Sequence, residues 1–253
     1  MPTAATLRIE IEQALDRRFP AALTPQPLTI CEVAACGIPA LDKLLDGGLP
    51  VGAICEVTGP VSSGRTSLAL SFLAQRTREG HVCAWVDVSD ALDPESVAAC
   101  GVSLPQLLWV RCEDAGRAAS GKHWARLDQA LKAVDLILQA AGFAAIVLDL
   151  GSTAAEHANR IPLATWFRFR QAALRSRASL IVLGQNAYAQ SSAVLVLECE
   201  RLNATVVDKT VLSGFRIEVR QQRQRFPQAL TASRKPPAST WSVTGSWNAA
   251  RRA

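Results

Sequence analysis

The sequence predicts an α/β fold built on a mostly parallel sheet, with helices on both faces and antiparallel strands at its edge. Three observations lead there. Segments such as VCAWVDV (82–88), AAIVLDL (144–150) and SLIVLG (179–184) are apolar almost throughout, as strands buried on both faces must be. Helix-length segments separate them, the alternation that parallel β-α-β units produce. Between an apolar strand at 53–58 and the first long helix stands a glycine- and serine-rich loop, GPVSSGRTS at 59–67.

Taken in order, residues 1–35 read as an N-terminal arm. Leu7, Ile11 and Leu15 recur at i, i+4 and i+8 and predict an amphipathic helix over 3–18, followed by the proline-rich linker TPQP. So short a helix is marginal by itself and is expected to dock on its own core or on a neighbouring copy. Phe19 to Ala22 reads F-x-x-A, a candidate oligomerisation clip, although Phe226 to Ala229 fits the same pattern equally. The core is expected over 36–228. It opens with a short helix near 41–45 and a Gly-Gly turn, then the strand at 53–58 and a helix at 65–79. Strand 82–88, helix 94–100, strand 107–112, helix 124–141, strand 144–150, helix 162–176 and strand 179–184 follow. Two strands, 193–200 and 214–220, are expected to close the sheet as antiparallel edge strands. Residues 229–253 are rich in Pro, Ser and Thr with scattered cations and read as a mobile basic tail, with Trp241 and Trp247 as points where it could dock.

Composition sets the bounds. With 253 residues and 49% hydrophobic content the chain can bury one large core. No apolar run approaches the roughly 20 residues that span a bilayer, and the N-terminus has no uninterrupted signal-peptide core, so a soluble, cytoplasmic protein with no membrane partner is expected. Seven cysteines without a C-x-x-C pair suggest neither zinc nor a disulfide framework, but buried reduced thiols. His81, His123 and His157 form no ligand cluster. A net charge of +5 permits nucleic acid or an acidic partner without selecting either. Its placement is more telling, because arginines gather at 166–177 (WFRFRQAALRSR) and 216–225 (RIEVRQQRQR).

The loop carries the chemistry. In G-x-x-x-x-G-K-[ST] the glycines let backbone N–H groups close around phosphates, the helix N-terminus adds positive potential, the lysine reaches the terminal phosphates and the hydroxyl holds Mg²⁺. Gly59, Ser62, Ser63, Gly64, Thr66 and Ser67 fit this nucleotide-binding pattern, and Arg65 stands where the lysine belongs. Arginine is bulkier, planar and bidentate, so ATP with Mg²⁺ is the implied ligand while its binding stays open. Asp149 ends an apolar strand downstream, where a Walker B acid would hold water on Mg²⁺, so Thr66 and Asp149 are the candidate metal ligands.

The segments GIPALDKLLDGGLPVGAICEVTGPVSSGRTSLAL, REGHVCAWVDVSDALDP, AGFAAIVLDL and SLIVLGQNA resemble, in that order, the core of the bacterial recombinase RecA over residues 36–227. The resemblance implies a RecA-like P-loop core, without that family's C-terminal domain. The size and the altered catalytic positions look more like the RecA-derived ImuA group, accessory proteins encoded with an ImuB-type polymerase homologue in bacterial DNA-damage tolerance. By that resemblance Ser89 occupies the place of the glutamate that polarises the attacking water, and Gln185 that of the γ-phosphate-sensing glutamine. The two DNA-binding loops correspond to 151–161, where Arg160 is the only fixed cation, and to 185–193, which has none, so at most weak DNA binding is implied. Tyr188 could stack on a base or simply pack. Arg220 and Arg223 fall where the family reaches across a subunit interface to the neighbour's ATP.

A serine is no carboxylate base, so little or no ATP hydrolysis is expected. The reading is a RecA-fold adaptor in translesion synthesis and the SOS response, partnered by an ImuB-type homologue or a recombinase filament. The alternatives are an active DNA-dependent ATPase and recombinase with Asp87 or Asp90 as substitute base, a SulA-like cell-division inhibitor, and a regulatory ATP sensor that oligomerises with nucleotide.

Overall fold

Ten strands and six helices make up the described part of the chain, which in this computed structural model is residues 32–112, 122–207, 211–224 and 236–244. All of these belong to one unit of the chain. The N-terminal helix, the F-x-x-A segments with Phe19 and Ala22, and the terminal cations lie outside the described residues.

A two-stranded ribbon of β1 (Val33–Ala34) and β2 (Leu49–Pro50) encloses the short helix α1 (Pro39–Leu44). Then come β3 (Ile54–Thr58), α2 (Arg65–Arg78), β4 (Val82–Asp87), α3 (Pro94–Ala99), β5 (Leu107–Arg111), α4 (Lys122–Ala140) and β6 (Phe143–Asp149). The short α5 (Ala155–Ala158), α6 (Leu163–Ser176), β7 (Ser179–Gly184), β8 (Ala193–Val207), β9 (Val211–Gln224) and β10 (Ala238–Thr244) complete the order. Strands β3 to β10 form one eight-stranded sheet ordered β10-β9-β8-β3-β7-β6-β4-β5. The pairs among β8, β3, β7, β6, β4 and β5 are parallel, whereas β9 and β10 are antiparallel additions.

Alternation along the strands divides the core between two faces. Ile54, Ala84, Val86, Ile146, Leu148, Leu180 and Val182 face one side, under Leu127, Val134 and Leu138 of α4 and Trp166 and Phe169 of α6. Trp166 and Phe169 meet edge to face, with ring centroids 6.1 Å apart. Intervening residues such as Trp85 and Val147 are equally buried and face the side of α2, whose Leu68, Phe72 and Leu73 are fully buried. Burial of this kind stabilises by about 1.5–3 kcal/mol per large side chain. It explains why the strand segments show no polar alternation.

Two expectations about the end of the chain are corrected. β8 is parallel to β3, with Ile54 opposite Ala193 and Thr58 opposite Glu198, so the antiparallel edge begins only at β9. Parallel strands ordinarily need a crossover of a dozen residues or more, which is why so short a link suggested otherwise. Here residues 185–192 make the return across β3, pinned at mid-strand by Glu56 Oε1, which accepts the N–H groups of Tyr188 (2.5 Å) and Ala189 (2.8 Å). The tail read as mobile contains β10 at 238–244, paired with β9 from Ala238–Arg220 to Thr244–Gly214. Ser239 Oγ donates to Ala40 O at 3.0 Å and ties this strand to α1. Of the described cysteines Cys36, Cys55, Cys83, Cys112 and Cys199 are buried free thiols, while Cys100 is exposed.

Candidate nucleotide site

The chain leaves β3 at a point where the strand order reverses: α2 carries it across β7 and β6 to β4, and β8 later fills the other flank of β3. Crevices at the carboxyl ends of strands at such a point are where open α/β sheets take ligands. The loop 59–64 lies there. Gly59 has φ +143, and a Cβ on it would stand 2.2 Å from the carbonyl oxygen of Cys199 in β8. Gly64 caps α2 with φ +93, and its Cβ would meet Ile217 Cδ1 at 2.1 Å. Both positions demand glycine, one because it threads past a neighbouring backbone and the other because β9 packs on the loop.

A cavity of about 340 Å³ opens beside the loop. Ser62, Arg65 and Thr66 line one wall, Asp149, Gly151 and Ser152 the second, and Leu92, Asp93 and Ser96 the third. A smaller groove of about 180 Å³ runs along Ser62 to Ser67 on the other side of the loop, closed by Phe215 and Ile217 of β9 and Val243 of β10. The structure thus brings Ser62, Ser63, Gly64, Arg65, Thr66, Ser67 and Asp149 together. Gln185, at the end of β7 between the strands of the loop and of Asp149, donates from Nε2 to Gly151 O at 3.4 Å.

Arg65 is turned inward. It is 9% exposed, and its Nη1 is buried without a hydrogen-bond partner. A methyl group on Gly151 would lie 3.0 Å from Asp149 Oδ1 and 3.4 Å from both terminal nitrogens of Arg65, so carboxylate and guanidinium flank the same glycine. Burial lowers the Arg65 pKa, opposed by the negative potential of Asp149, Cys199 and Tyr188. Burial raises the Asp149 pKa, as does Asp87, while the Gly151 N–H (2.9 Å) and Arg65 hold it down. The cation therefore sits in the floor of the cavity beside Asp149.

The aspartates around Ser89 are each engaged. Asp87 is fully buried and accepts the N–H groups of Ser89 (3.2 Å) and Leu92 (2.8 Å), closing the turn after β4. Asp90, at φ +54, takes Arg111 Nε and Nη2 at 2.6 and 2.7 Å on the adjacent edge strand. Asp93 caps α3, accepting from Ser96 N (3.0 Å) and Ser96 Oγ (2.5 Å), and the Ser96 hydroxyl holds its carboxyl below the usual range. A carboxylate held down in this way is a weaker base.

The residues fit an Mg-nucleotide at the phosphate end. Ser63 Oγ and Arg65 Nη1 are buried polar atoms at the loop with no partner, the helix N-terminus points into it, and the exposed Thr66 hydroxyl shares the cavity with Asp149. Among the described residues no group of three His, Cys, Asp or Glu could hold a metal by itself. A Mg²⁺ ion would be held by Thr66, Asp149 and the nucleotide's own phosphates.

A family model described as RecA N-terminal domain matches residues 8–165. The chain belongs to the RecA family. Proteins named RecA from Crocosphaera subtropica and Paracoccus denitrificans are 39% and 37% identical over 118 and 124 residues, covering 47% and 49% of this chain and 30% and 32% of theirs. RecA of Bifidobacterium breve is 34% identical over 145 residues, 57% of this chain and 34% of its own. The matches thus span about a third of the length of these relatives. A crystal structure of the RadB recombinase superposes with a TM-score of 0.57 at 18% identity, covering 82% of this chain and 94% of that one, and so shares the fold.

Other sequence candidates of this RecA-family chain fall elsewhere. Tyr188 is buried, 4% exposed against Gly184, so the packing reading holds over base stacking. The segment 185–192 crosses β3 rather than standing free as a DNA loop, and 151–161 contains the small helix α5, with Arg160 exposed. Arg220 pairs with Glu200 (2.9 Å) and Glu218, and Arg223 donates to Gln190 O (2.5 Å) with Glu56 Oε2 at 3.9 Å. Both are thus engaged within the chain. Sequence reasoning missed Asp93 and Ser96 as cavity residues and Glu56 as the anchor of the crossover. An acid inside the otherwise apolar strand AICEVT was the available signal for the last.

Proposed function

We propose that this protein is a RecA-fold accessory protein of bacterial DNA-damage tolerance, close to the ImuA group, which binds Mg-ATP as a conformational ligand and hydrolyses it little or not at all. The observation that carries this reading is a phosphate loop of intact spacing, with Arg65 in the lysine's place, combined with the lack of a free carboxylate beside Ser89 among the described residues. The loop, Thr66 and Asp149 offer a phosphate and Mg²⁺ site, while position 89 is serine and Asp87, Asp90 and Asp93 are each held by local partners. Bound Mg²⁺ would neutralise charge on the phosphates. Ser62, Ser63 and the loop amides would cradle them, and Gln185, tied to Gly151, would report the terminal phosphate to β7.

As an adaptor the protein would join an ImuB-type polymerase homologue or a recombinase filament, with weak DNA contact and self-association through the N-terminal arm. Titration calorimetry with Mg-ATP and a non-hydrolysable analogue, beside a phosphate-release assay with and without single-stranded DNA, tests the reading. Binding without turnover is expected. Hydrolysis stimulated by single-stranded DNA at recombinase-like rates would overturn it in favour of an active DNA-dependent ATPase.

A further inference from the structure

Large hydrophobic side chains are exposed at nine described positions, and three of them, Leu163, Phe167 and Leu174, stand on α6, each more than half exposed. At about 100° per residue they fall within about 40° of one another and form a stripe about 16 Å long. The opposite face of α6 already buries Trp166, Phe169, Ala172 and Ala173 in the core. A surface helix needs one apolar face, and this one has two.

The charge on the outer face is only partly compensated. Leu163–Ser176 contains no Asp or Glu. Arg168 is satisfied by Asp135 of α4 at 3.0 Å, and Arg177 by Glu32. Arg170, which falls on the stripe between Phe167 and Leu174, and Arg175, about 100° round the helix from Leu174 on its flank, pair with no carboxylate among the described residues. Cations placed within an apolar stripe select a partner that brings both apolar and acidic groups.

We infer that the outward face of α6 is a docking site for an acidic amphipathic helix of a partner protein, seated by its apolar residues on Leu163, Phe167 and Leu174 and by its carboxylates on Arg170 and Arg175. This is the helix-in-groove mode, with anchors read at i, i+4 and i+11. The same face of a second copy does not complement the surface, because a two-fold contact would set Arg170 against the same arginines. DNA backbone gains nothing from the apolar stripe and needs more cations than two. The surface deepens the adaptor reading and rests on it for the existence of a partner, but it is separate from the nucleotide cavity.

The test uses the full chain and a synthetic fluorescent helical peptide of about 16 residues, with leucines at i, i+4, i+7 and i+11 and glutamates between them. A lysine-for-glutamate peptide and a single-stranded oligonucleotide serve as competing probes, and sedimentation velocity reports self-association. Saturable binding of the acidic peptide is expected, weakened about tenfold or more by each of Phe167→Ser, Leu174→Ser and Arg170→Glu, with the lysine peptide silent. Arg170→Glu changes only an exposed side chain, so its melting temperature and Mg-ATP binding should match the parent. The proposal is overturned if the acidic peptide does not bind or if all three variants leave its binding unchanged. It is equally overturned if the variants abolish oligonucleotide binding or self-association instead. DNA-stimulated hydrolysis would remove the adaptor reading while leaving the peptide result intact, so the two failures are distinguishable.

Discussion

Arg111 grips both carboxylate oxygens of Asp90, at 2.6 and 2.7 Å, and so holds the residue next to Ser89 against the neighbouring edge strand. The pair lowers the Asp90 pKa, chiefly through the hydrogen bond from Arg111. A carboxylate so held neither reaches toward the loop nor takes up a proton readily, and Asp87 is spent on its own turn. Asp90→Asn should therefore leave the phosphate-release rate unchanged. Ser89→Glu supplies the missing base, and a positioned base is worth about 10²–10⁴ in rate. Ser89→Glu is expected to raise Mg-ATP hydrolysis about a hundredfold over background. A parent enzyme already active, and silenced by Asp90→Asn, would refute the assignment.

Glu56 gives a pH prediction. Burial raises its pKa, and the Ala189 and Tyr188 N–H groups with Arg223 only partly oppose this. The folded state thus holds the proton more tightly than the unfolded chain does, and stability should fall as pH rises through that raised value. Glu56→Gln keeps an acceptor for the two N–H groups and should flatten the dependence, with urea unfolding at acid and neutral pH as the readout. Glu56→Ala strands both donors and opens a void, and should cost about 2–4 kcal/mol at every pH.

Two glycines of the loop should differ in a stated order. The Cβ of Gly59→Ala meets backbone, the Cys199 carbonyl at 2.2 Å, whereas that of Gly64→Ala meets the Ile217 side chain, which has rotamers to use. Both substitutions also force an L-residue to positive φ, at about 1–3 kcal/mol each. Gly59→Ala should be the more destabilising in thermal unfolding, and equal losses would mean that β9 is as rigid as backbone.

The strand, loop and helix of the candidate phosphate site were legible as elements because each is encoded within a few residues: an apolar run, glycines at fixed spacing, then a helix. Asp149 was legible for the same reason. What escaped depended on groups distant in sequence. The inward turn of Arg65 sets it against Gly151 and Asp149, which lie far along the chain, and the engagement of Asp90 depends on Arg111, which is 21 residues away. The parallel course of β8 hangs on Glu56, over 130 residues from the amides it holds. β10 hid behind composition: Trp241 and Val243 alternate with exposed Thr240 and Ser242, a period of two inside a Pro-, Ser- and Thr-rich tail.

Arg65 and Asp149 make the last prediction. Burial raises the Asp149 pKa, so ionising it on folding costs stability, and that cost grows as pH rises through the raised value. Arg65, near the same face of Gly151, opposes the rise. Arg65→Ala removes the opposing charge, and each unit by which the Asp149 pKa then climbs costs about 1.4 kcal/mol at neutral pH. Stability of Arg65→Ala should therefore fall more steeply from acid to neutral pH than that of the parent. Adding Asp149→Asn to Arg65→Ala should remove the excess slope, because no carboxylate is left to ionise. Arg65→Lys keeps a cation on a shorter, compact head that can extend toward phosphate, and should tighten Mg-ATP binding in calorimetry about tenfold. If Arg65→Lys weakens binding instead, the guanidinium leaves the floor to grip nucleotide, and its inward position belongs to the unliganded protein alone.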